Sequence, residues 1–284
     1  MQKSVLITGC SSGIGKCAAE YLQKRQWHVY ATARKENDVQ SLRDSGFSAY
    51  RLDLTDSNSI NICAEQILSD SGGKLNAIIH NAGILVIGAI EDISRDGVRE
   101  QFETNVFGPI ELTQRLILAL RAQQDGKIIF ISSPNSNGFG YPFLGVEAAS
   151  KAALETIASA FCREAKESDI SISSICLGEM HTPILTKAVK FLKNYVNVDM
   201  SIHKEKYQLL EKNFLADGIT RPNKNPLLVA QAIEKILNAR HPPRRIFVPF
   251  SARIHYWLHF LLPGWAQDKL LFSKMKKNYS ITMR

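Results

Sequence analysis

Short apolar runs alternate with longer amphipathic stretches along most of this chain, and that alternation constrains the fold more than any other feature. Strands that alternate with helices indicate βαβ units and a parallel sheet buried on both faces. Right-handed crossovers then predict an α/β fold, with a doubly wound parallel sheet of about seven strands and helices on both faces. The predicted strands are 5–8, 27–33, 49–54, 75–80, 127–132, 170–177 and 245–249, and the predicted helices are 13–25, 36–45, 56–69, 95–123, 146–167 and 227–239.

Two segments interrupt this alternation, although no Gly/Ser linker or internal repeat divides the chain, so that one Rossmann-type domain is predicted over 1–284. Residues 179–226 are irregular and helical, and an insertion after the sixth strand is well placed to cover a ligand at the carboxyl edge of the sheet. Residues 251–284 form a C-terminal extension with apolar and aromatic residues beside lysines. Such an extension either packs over the substrate pocket or a partner subunit, or lies on a membrane surface.

A glycine-rich turn follows the first predicted strand directly and opens the first predicted helix. Glycines at 9, 13 and 15 allow a tight turn, a close approach of a pyrophosphate and close packing of helix on strand. The helix N-terminus supplies free N–H groups for phosphates. The pattern therefore predicts a dinucleotide site, whose turn residues are Thr8, Gly9, Ser11, Ser12, Gly13, Ile14 and Gly15.

The end of the second predicted strand indicates which dinucleotide is bound. A site for NAD(H) would place an acidic residue there, to accept a hydrogen bond from the ribose 2′-hydroxyl. This chain has Arg34 and Lys35 instead, two cations that suit the 2′-phosphate of NADP(H). We therefore expect NADP(H) to be preferred over NAD(H).

With these residues and five further motifs, the chain resembles the classical short-chain dehydrogenase/reductase family over nearly its whole length. The glycine turn is similar to that family's TGxxxGIG. The segments 52–55, 80–83, 104–106, 132–133 and 149–154 are similar, in order, to the motifs for the adenine contact, the NNAG turn, the helix asparagine, the catalytic serine and the catalytic lysine. The resemblance implies cofactor contacts from Asp53, Leu54, Asn81, Ala82, Gly83, Lys151, Gly178 and Thr182.

The resemblance also implies a catalytic set of Asn105, Ser133 and Lys151, with a tyrosine four residues before the lysine. In the family the phenol gives a proton to a carbonyl oxygen as hydride arrives from the nicotinamide, which is general acid–base catalysis. This chain has Glu147 at that position. Further departures from the family pattern are His80 for an asparagine, and Leu177 for the proline before Gly178.

Glu147 leaves open whether the chain still turns a substrate over. Beside Lys151 we expect its carboxyl to be pushed towards ionisation, and the spacing of four residues favours an intrahelical ion pair as much as a catalytic role. Tyr141 and His181 are alternative proton donors. The sequence thus supports an NADP(H)-dependent oxidoreductase that interconverts an alcohol and a carbonyl on a small hydrophobic substrate, similar to retinol and hydroxysteroid dehydrogenases. The alternative is a catalytically silent NADP(H)-binding protein used for sensing or assembly.

Charge and cysteine usage bear on partners and location. Five scattered cysteines without a CxxC pair, and a strand-like start close to Met1, favour a reduced cytoplasmic protein with no cysteine-based metal site. Residues 221–284 carry 12 Lys/Arg against 2 Asp/Glu, whereas 1–220 carry 23 against 25. Because no nucleic-acid-binding motif accompanies this charge, nucleic acid is not an expected partner, and peripheral membrane contact through 251–284 stays open. The family resemblance implies a homodimer or homotetramer paired through the predicted helices 95–123 and 146–167.

Overall fold

A seven-stranded parallel sheet in the order β3-β2-β1-β4-β5-β6-β7 forms the centre of the computed structural model. The structure describes residues 2–138, 140–178, 180, 182–220 and 225–279. The crossover between β3 and β4 reverses the strand order, which confirms the predicted doubly wound α/β fold with helices on both faces. The strands are β1 (Ser4–Ile7), β2 (His28–Ala33), β3 (Ser48–Arg51), β4 (Ala77–His80), β5 (Gly126–Ser132), β6 (Ile170–Leu177) and β7 (Arg245–Val248).

The helices fall close to the predicted positions, with one difference. The predicted helix 95–123 is divided by a π-helical segment, Glu103–Phe107, into two α-helices. The α-helices are α1 (Gly13–Gln23), α2 (Glu36–Asp44), α3 (Ser57–Asp70), α4 (Arg95–Phe102), α5 (Gly108–Arg121), α6 (Gly145–Glu164), α7 (Ile184–Tyr195), α8 (Lys204–Thr220), α9 (Leu227–Asn238), α10 (Ser251–Leu261) and α11 (Gly264–Tyr279).

Both faces of the sheet are buried, as the apolar strands predict. Along β1, Val5 and Ile7 point into a core shared with α1 and α9, whereas Leu6 points into a second core shared with α3 and α5. Alternate side chains of a strand face opposite sides, so the two cores lie on opposite faces of the sheet. The carboxyl ends of β1, β4 and β5 meet at one edge, which places the residues after Ile7, His80 and Ser132 together.

A third apolar cluster covers this edge. It joins the loop after β4 to α7, α8 and α11, and its members include Ile87, Phe143, Leu192 and Tyr207. The described part of the insertion 179–226 is helical, as predicted, and residues 179, 181 and 221–224 lie outside the description. The described part of 251–284 forms α10 and α11, whose inner sides are buried. Within the described residues, no helix is long and apolar enough to cross a membrane.

Candidate active site

The glycine turn between β1 and α1 has the geometry of a phosphate cradle. Gly9 and Gly13 adopt φ angles of +75° and +61°, which favour glycine. A Cβ on Gly15 would lie 2.3 Å from the Gly9 carbonyl oxygen and 2.4 Å from Asn81 Nδ2, so only glycine fits there. Ser12, at the N-cap of α1, makes no side-chain capping bond, which leaves the N–H groups of the first turn available to an anion. These features fit the phosphates of a dinucleotide.

Hydrogen bonds between β1 and β4 hold this turn in place. Thr8 Oγ1 accepts from the backbone N–H groups of Asn81 and Ala82, at 3.0 and 2.9 Å. Asn81 Nδ2 in turn donates to the carbonyl oxygens of Thr8 and Gly9, at 2.9 and 3.2 Å. The structure therefore brings Thr8, Gly9, Asn81 and Ala82 into one rigid unit beside the glycine turn. Their cofactor contacts remain predictions.

The loop after β6 closes over the glycine turn. A Cβ on Gly13 would lie 3.4 Å from Thr182, which places this residue beside the turn. From the first turn of α7, Lys187 Nζ donates to Ser12 Oγ at 3.1 Å. The sequence motifs did not single out Lys187, because its approach to Ser12 depends on how α7 folds back over the turn. Gly178, at the end of β6, lies beneath the start of α10, where a Cβ would be 3.2 Å from Pro249.

The residues predicted to contact the adenosine half lie at the ends of β2 and β3. Arg34 is half exposed and pairs with Glu100 of α4 at 3.6 Å, and Lys35 is the exposed N-cap residue of α2. Asp53 Oδ1 accepts from the backbone N–H and the hydroxyl of Thr55, at 3.1 and 2.9 Å, and Leu54 is buried. The two cations are therefore near the surface, where a 2′-phosphate could reach them, but Arg34 must share its charge with Glu100.

The predicted catalytic asparagine is fixed at the π-helical segment. Asn105 Oδ1 accepts from the Ile84 N–H at 3.0 Å, and its Nδ2 donates to the Ile84 carbonyl and to Ser150 Oγ, both at 3.2 Å. Gln101 makes a parallel set of bonds, from Nε2 to the Ile84 carbonyl at 2.9 Å and to Ser150 Oγ at 3.3 Å. Gln101 and Ser150 were not predicted as site residues. The sequence signal for them is their spacing: Gln101 lies four residues before Asn105, and Ser150 lies one residue before Lys151.

The predicted lysine lies beside the same group. A Cβ on Gly83 would be 3.3 Å from Asn105 Oδ1 and 3.8 Å from Lys151 Nζ, so the glycine after β4 leaves room for both side chains. Lys151 Nζ donates to the Ile131 carbonyl oxygen at 2.8 Å. Among the described residues, Lys151 makes no salt bridge with Glu147 within 4.0 Å. Of the two alternatives that the spacing left open, the intrahelical ion pair is therefore not formed, because Lys151 is directed to β5.

Glu147 is buried one helical turn before Lys151, with 9% of its surface exposed. Burial raises the pKa of its carboxyl, and the Lys151 charge and a hydrogen bond with the Asn135 side chain only partly oppose that shift. Our expectation of a carboxyl pushed towards ionisation is thus wrong in direction, because the loss of hydration outweighs the neighbouring charge. Burial likewise lowers the pKa of Lys151, against the opposing charges of Glu147 and Glu155.

The predicted serine and the alternative donors lie in or near the segment between β5 and α6. Ser133 Oγ accepts from the Asn135 N–H at 3.2 Å and starts the 3₁₀ turn Pro134–Asn137, so Ser133 and the Asn135 partner of Glu147 belong to one local unit. Tyr141 is half-buried in the loop before α6 and packs against the third apolar cluster. His181 lies outside the described residues.

His80, the departure from the family's NNAG, has a structural role in this fold. The residue is buried, its Nε2 is 2.8 Å from Thr113 Oγ1, and its ring stacks on Phe130 at a centroid distance of 4.9 Å. Burial lowers its pKa to about 3, so the imidazole is neutral. A neutral ring packed between strand and helix replaces the asparagine without adding a charge beneath the site.

The fold and this site together define an oxidoreductase that uses a nicotinamide dinucleotide. Comparison with known proteins identifies the family, since residues 3–193 match the family model described as short chain dehydrogenase. The chain belongs to the short-chain dehydrogenase/reductase family.

Relatives that match nearly the whole chain agree with this assignment. The chain is 34% identical over 272 residues to an uncharacterized oxidoreductase, YbbO, of Escherichia coli, covering 95% of this chain and 94% of the relative. It is 29% identical over 280 residues to an NADPH-dependent 3-dehydrocapnine reductase of Ornithobacterium rhinotracheale, covering 96% and 97%. A solved short-chain dehydrogenase of Streptomyces avermitilis shares the fold, with a TM-score of 0.75, 23% identity and coverage of 98% and 97%.

Proposed function

We propose that this oxidoreductase reduces a ketone on a hydrophobic substrate with NADPH, and that Glu147 acts as the proton donor in place of a phenol. One observation carries the proposal: a buried carboxyl whose pKa is raised lies one helical turn from Lys151, at the edge where Asn105 and Gly83 converge. A carboxylic acid that keeps its proton towards neutral pH can donate it, as a general acid must.

A bound NADPH supplies the hydride that reaches the carbonyl carbon. The protein's own residues handle the proton: the Glu147 carboxyl gives it to the carbonyl oxygen, and the O–H bond of the acid is exchanged for that of the product alcohol. The charge of the nearby Lys151 ammonium then stabilises the carboxylate that remains. Asn105 and Gln101 hold the backbone of the loop after β4, which positions the floor of the site.

The preference for NADPH is supported by Arg34 and Lys35, since no acidic residue at the end of β2 is present to bind a ribose 2′-hydroxyl. The NADPH-dependent relative, similar over almost the whole chain, agrees with this proposal. Lys187 adds a further cation at the phosphate turn, through its contact with Ser12. We assign the adenosine 2′-phosphate to Arg34 and Lys35, and the pyrophosphate to the glycine turn and Lys187.

The substrate class follows from the cover of the site. Phe143 lies just before the helix that carries Glu147, and Val146 lies in its first turn. Both are buried in the third apolar cluster, which continues into Val189 of α7 and Leu210 of α8. A substrate that reaches Glu147 therefore meets apolar side chains on the outer side. We propose a small or chain-like ketone whose body is apolar, paired with the corresponding secondary alcohol.

Calorimetric titration with NADPH and NADH, followed by turnover with a panel of hydrophobic ketones and aldehydes, tests the proposal. We expect tighter binding of NADPH, and we expect the double substitution Arg34→Ala with Lys35→Ala to remove that preference while NADH binding persists. Lys187→Met should weaken both cofactors, whereas the exposed Lys190→Met on the same helix serves as a matched control. Equal affinity of the wild type for both cofactors would refute the NADPH preference.

Binding of NADPH without turnover would favour the alternative function, a catalytically silent NADP(H)-binding protein. The support for this alternative is Glu147, which stands where the family has its tyrosine. A silent protein should gain activity from Glu147→Tyr if the remaining residues are competent. A working enzyme that uses Glu147 should not need that substitution. The family commonly forms oligomers, and the exposed Phe107 and Leu118 on the helix pair α4–α5 support a dimer formed through that face.

A further inference from the structure

The last two helices expose an unusual share of the protein's apolar surface. Among the side chains that the structure describes, eight of the eighteen exposed large hydrophobic residues lie between 250 and 272. Such a concentration is not expected of a surface that faces only water. These eight side chains, which we call the C-terminal apolar face, are Phe250, Ile254, Trp257, Phe260, Leu261, Trp265, Leu270 and Phe272.

Helical spacing places part of this set on one side of α10. Ile254, Trp257 and Leu261 are separated by three and four residues, so they form one stripe along the helix. Ala252 and Tyr256 are buried on the other side, against β7 and the 3₁₀ turn after Ser133. The two sides of α10 are therefore both apolar, and among the residues that the structure describes only the inner side is covered by the rest of the chain.

The same division occurs in α11. Leu271 and Met275, four residues apart, are buried in the third apolar cluster together with residues of α8. Trp265, with 72% of its surface exposed, and Leu270 lie on the outer part of the helix. Within the described residues, packing on the rest of the chain thus accounts for one side of each of these two helices.

Positive charge accompanies the apolar face. Residues 251–284 contain six Lys/Arg and one Asp. Arg253 lies on α10 one turn before Trp257, with its guanidinium 5.7 Å from the Phe250 ring, and Lys269 and Lys276 are exposed on α11. Two copies of such a surface would bring like charges together, whereas an anionic bilayer offers both an apolar interior and negative headgroups.

We propose that the C-terminal apolar face docks this protein peripherally on an anionic lipid bilayer. Trp257, Leu261 and Trp265 enter the headgroup region, and the flanking Arg and Lys side chains contact lipid phosphates. The helices lie along the surface and do not cross it, in agreement with their length and charge. The proposal concerns a surface apart from Glu147 and Lys151, so it stands or falls independently of the proposed turnover.

A partly buried network centred on Arg245 fixes this face relative to the site. Arg245 Nη1 donates to Tyr256 Oη of α10 at 2.9 Å, and Arg245 Nε donates to Glu155 Oε2 at 3.0 Å. Glu155 belongs to α6, the helix that also carries Glu147 and Lys151. A docked bilayer would therefore hold the apolar cover of the site at a constant orientation to the membrane surface.

Co-sedimentation of the full-length protein with vesicles tests the proposal, using phosphatidylcholine with and without phosphatidylglycerol. We expect the wild type to bind the vesicles that contain phosphatidylglycerol. The double variant Trp257→Glu with Trp265→Glu should bind them about tenfold more weakly. Ile202→Glu is the matched control, because Ile202 is 85% exposed but lies outside the apolar face. Lys269→Gln with Lys276→Gln should weaken binding and reduce its dependence on salt.

The results of these experiments either support or overturn docking on a bilayer. NADPH binding by every variant shows that the site is still folded, and a tryptophan variant that folds but no longer sediments supports the proposal. Equal sedimentation of the wild type and the tryptophan variant overturns it, as does a wild type that binds neither kind of vesicle. Light scattering that shows the tryptophan variant losing subunits, with no vesicle binding by the wild type, assigns the face to a second copy of the chain and also overturns the proposal.

Discussion

Replacing Glu147 by glutamine tests the chemistry of the site most directly, because the amide keeps the shape of the side chain and removes its proton. If the carboxyl is the proton donor, turnover should fall by about 10²- to 10⁴-fold, the range that general acid catalysis contributes. NADPH binding should persist, since the glycine turn and Lys187 are untouched. In the wild type, turnover should decline as the pH rises through the raised pKa of Glu147, because only the protonated form donates.

The same substitution has a consequence for stability that does not depend on finding a substrate. The ordinary pKa of a glutamate carboxyl is 4.5, and burial raises that of Glu147 in the folded state. Its contribution to stability is therefore fully present below the unfolded pKa and is lost as the pH rises through the folded pKa. One proton corresponds to a slope of at most about 1.4 kcal/mol per pH unit. In the Glu147→Gln variant, Lys151 also loses the nearby negative charge, and the pKa of its buried ammonium falls further. This effect too makes the variant gain stability relative to the wild type as the pH rises.

Chemical denaturation of both proteins at several pH values between about 5 and 9 measures this difference in the free energy of unfolding. The Glu147→Gln variant should gain stability relative to the wild type as the pH rises. The same change at Glu164, exposed at the far end of α6, serves as the control and should show no such trend. If the difference in the free energy of unfolding between Glu147→Gln and the wild type does not change with pH, the raised pKa of the Glu147 carboxyl is refuted. Full turnover by that variant would transfer the donor role to another group, such as Tyr141.

Three further predictions concern the cofactor turn, the Arg245 network and the oligomer. Gly15→Ala should weaken NADPH binding by about tenfold or more in calorimetry, since its Cβ has no room, whereas Gly264→Ala, where the space is open, should not. Arg245→Met should lower the free energy of unfolding by about 2 kcal/mol in denaturant, because the buried Glu155 loses its hydrogen-bonded cation, although solvent screens this partly exposed arginine; an unchanged midpoint would contradict this. Leu118→Glu, at a side chain that is 73% exposed, should reduce the particle mass in light scattering if α5 forms the dimer interface.

The sheet could be predicted from the sequence because its strands carry a purely local signal. Residues 170–177 are the clearest case, since the structure has β6 at the predicted bounds. A strand buried on both faces needs apolar or small side chains throughout, and that requirement is visible in the residues themselves. The doubly wound assembly of these strands followed from right-handed crossovers, which are a general property of such sheets.

The break in the long helix could not be predicted in this way. Periodicity indicated one helix over 95–123, whereas the structure inserts a π-helical segment at Glu103–Phe107. The segment is held by Asn105 and Gln101, whose amides bind the backbone of residues 84 and 86, about twenty positions earlier in the chain. A contact of that kind depends on the tertiary fold, so the amphipathic pattern of the helix does not reveal it. π-Helical segments are often found at functional sites, as here.

The pKa of Glu147 likewise depends on the tertiary fold and could not be predicted from the sequence alone. The sequence places it four residues before a lysine, and that neighbour alone predicts a carboxyl that ionises readily. The depth of burial decides otherwise, because the loss of hydration raises the pKa more than the Lys151 charge lowers it. The substitution of a glutamate for the family's phenol therefore need not end proton donation: the phenol keeps its proton because of its intrinsic pKa, and burial shifts the pKa of the carboxyl in the direction that favours the protonated form. Phe143 and Val146, four residues and one residue before Glu147, are buried in the third apolar cluster. If this cover keeps water from the carboxyl, polar substitutions at these two positions should lower the pKa of Glu147 and shift the loss of turnover to lower pH.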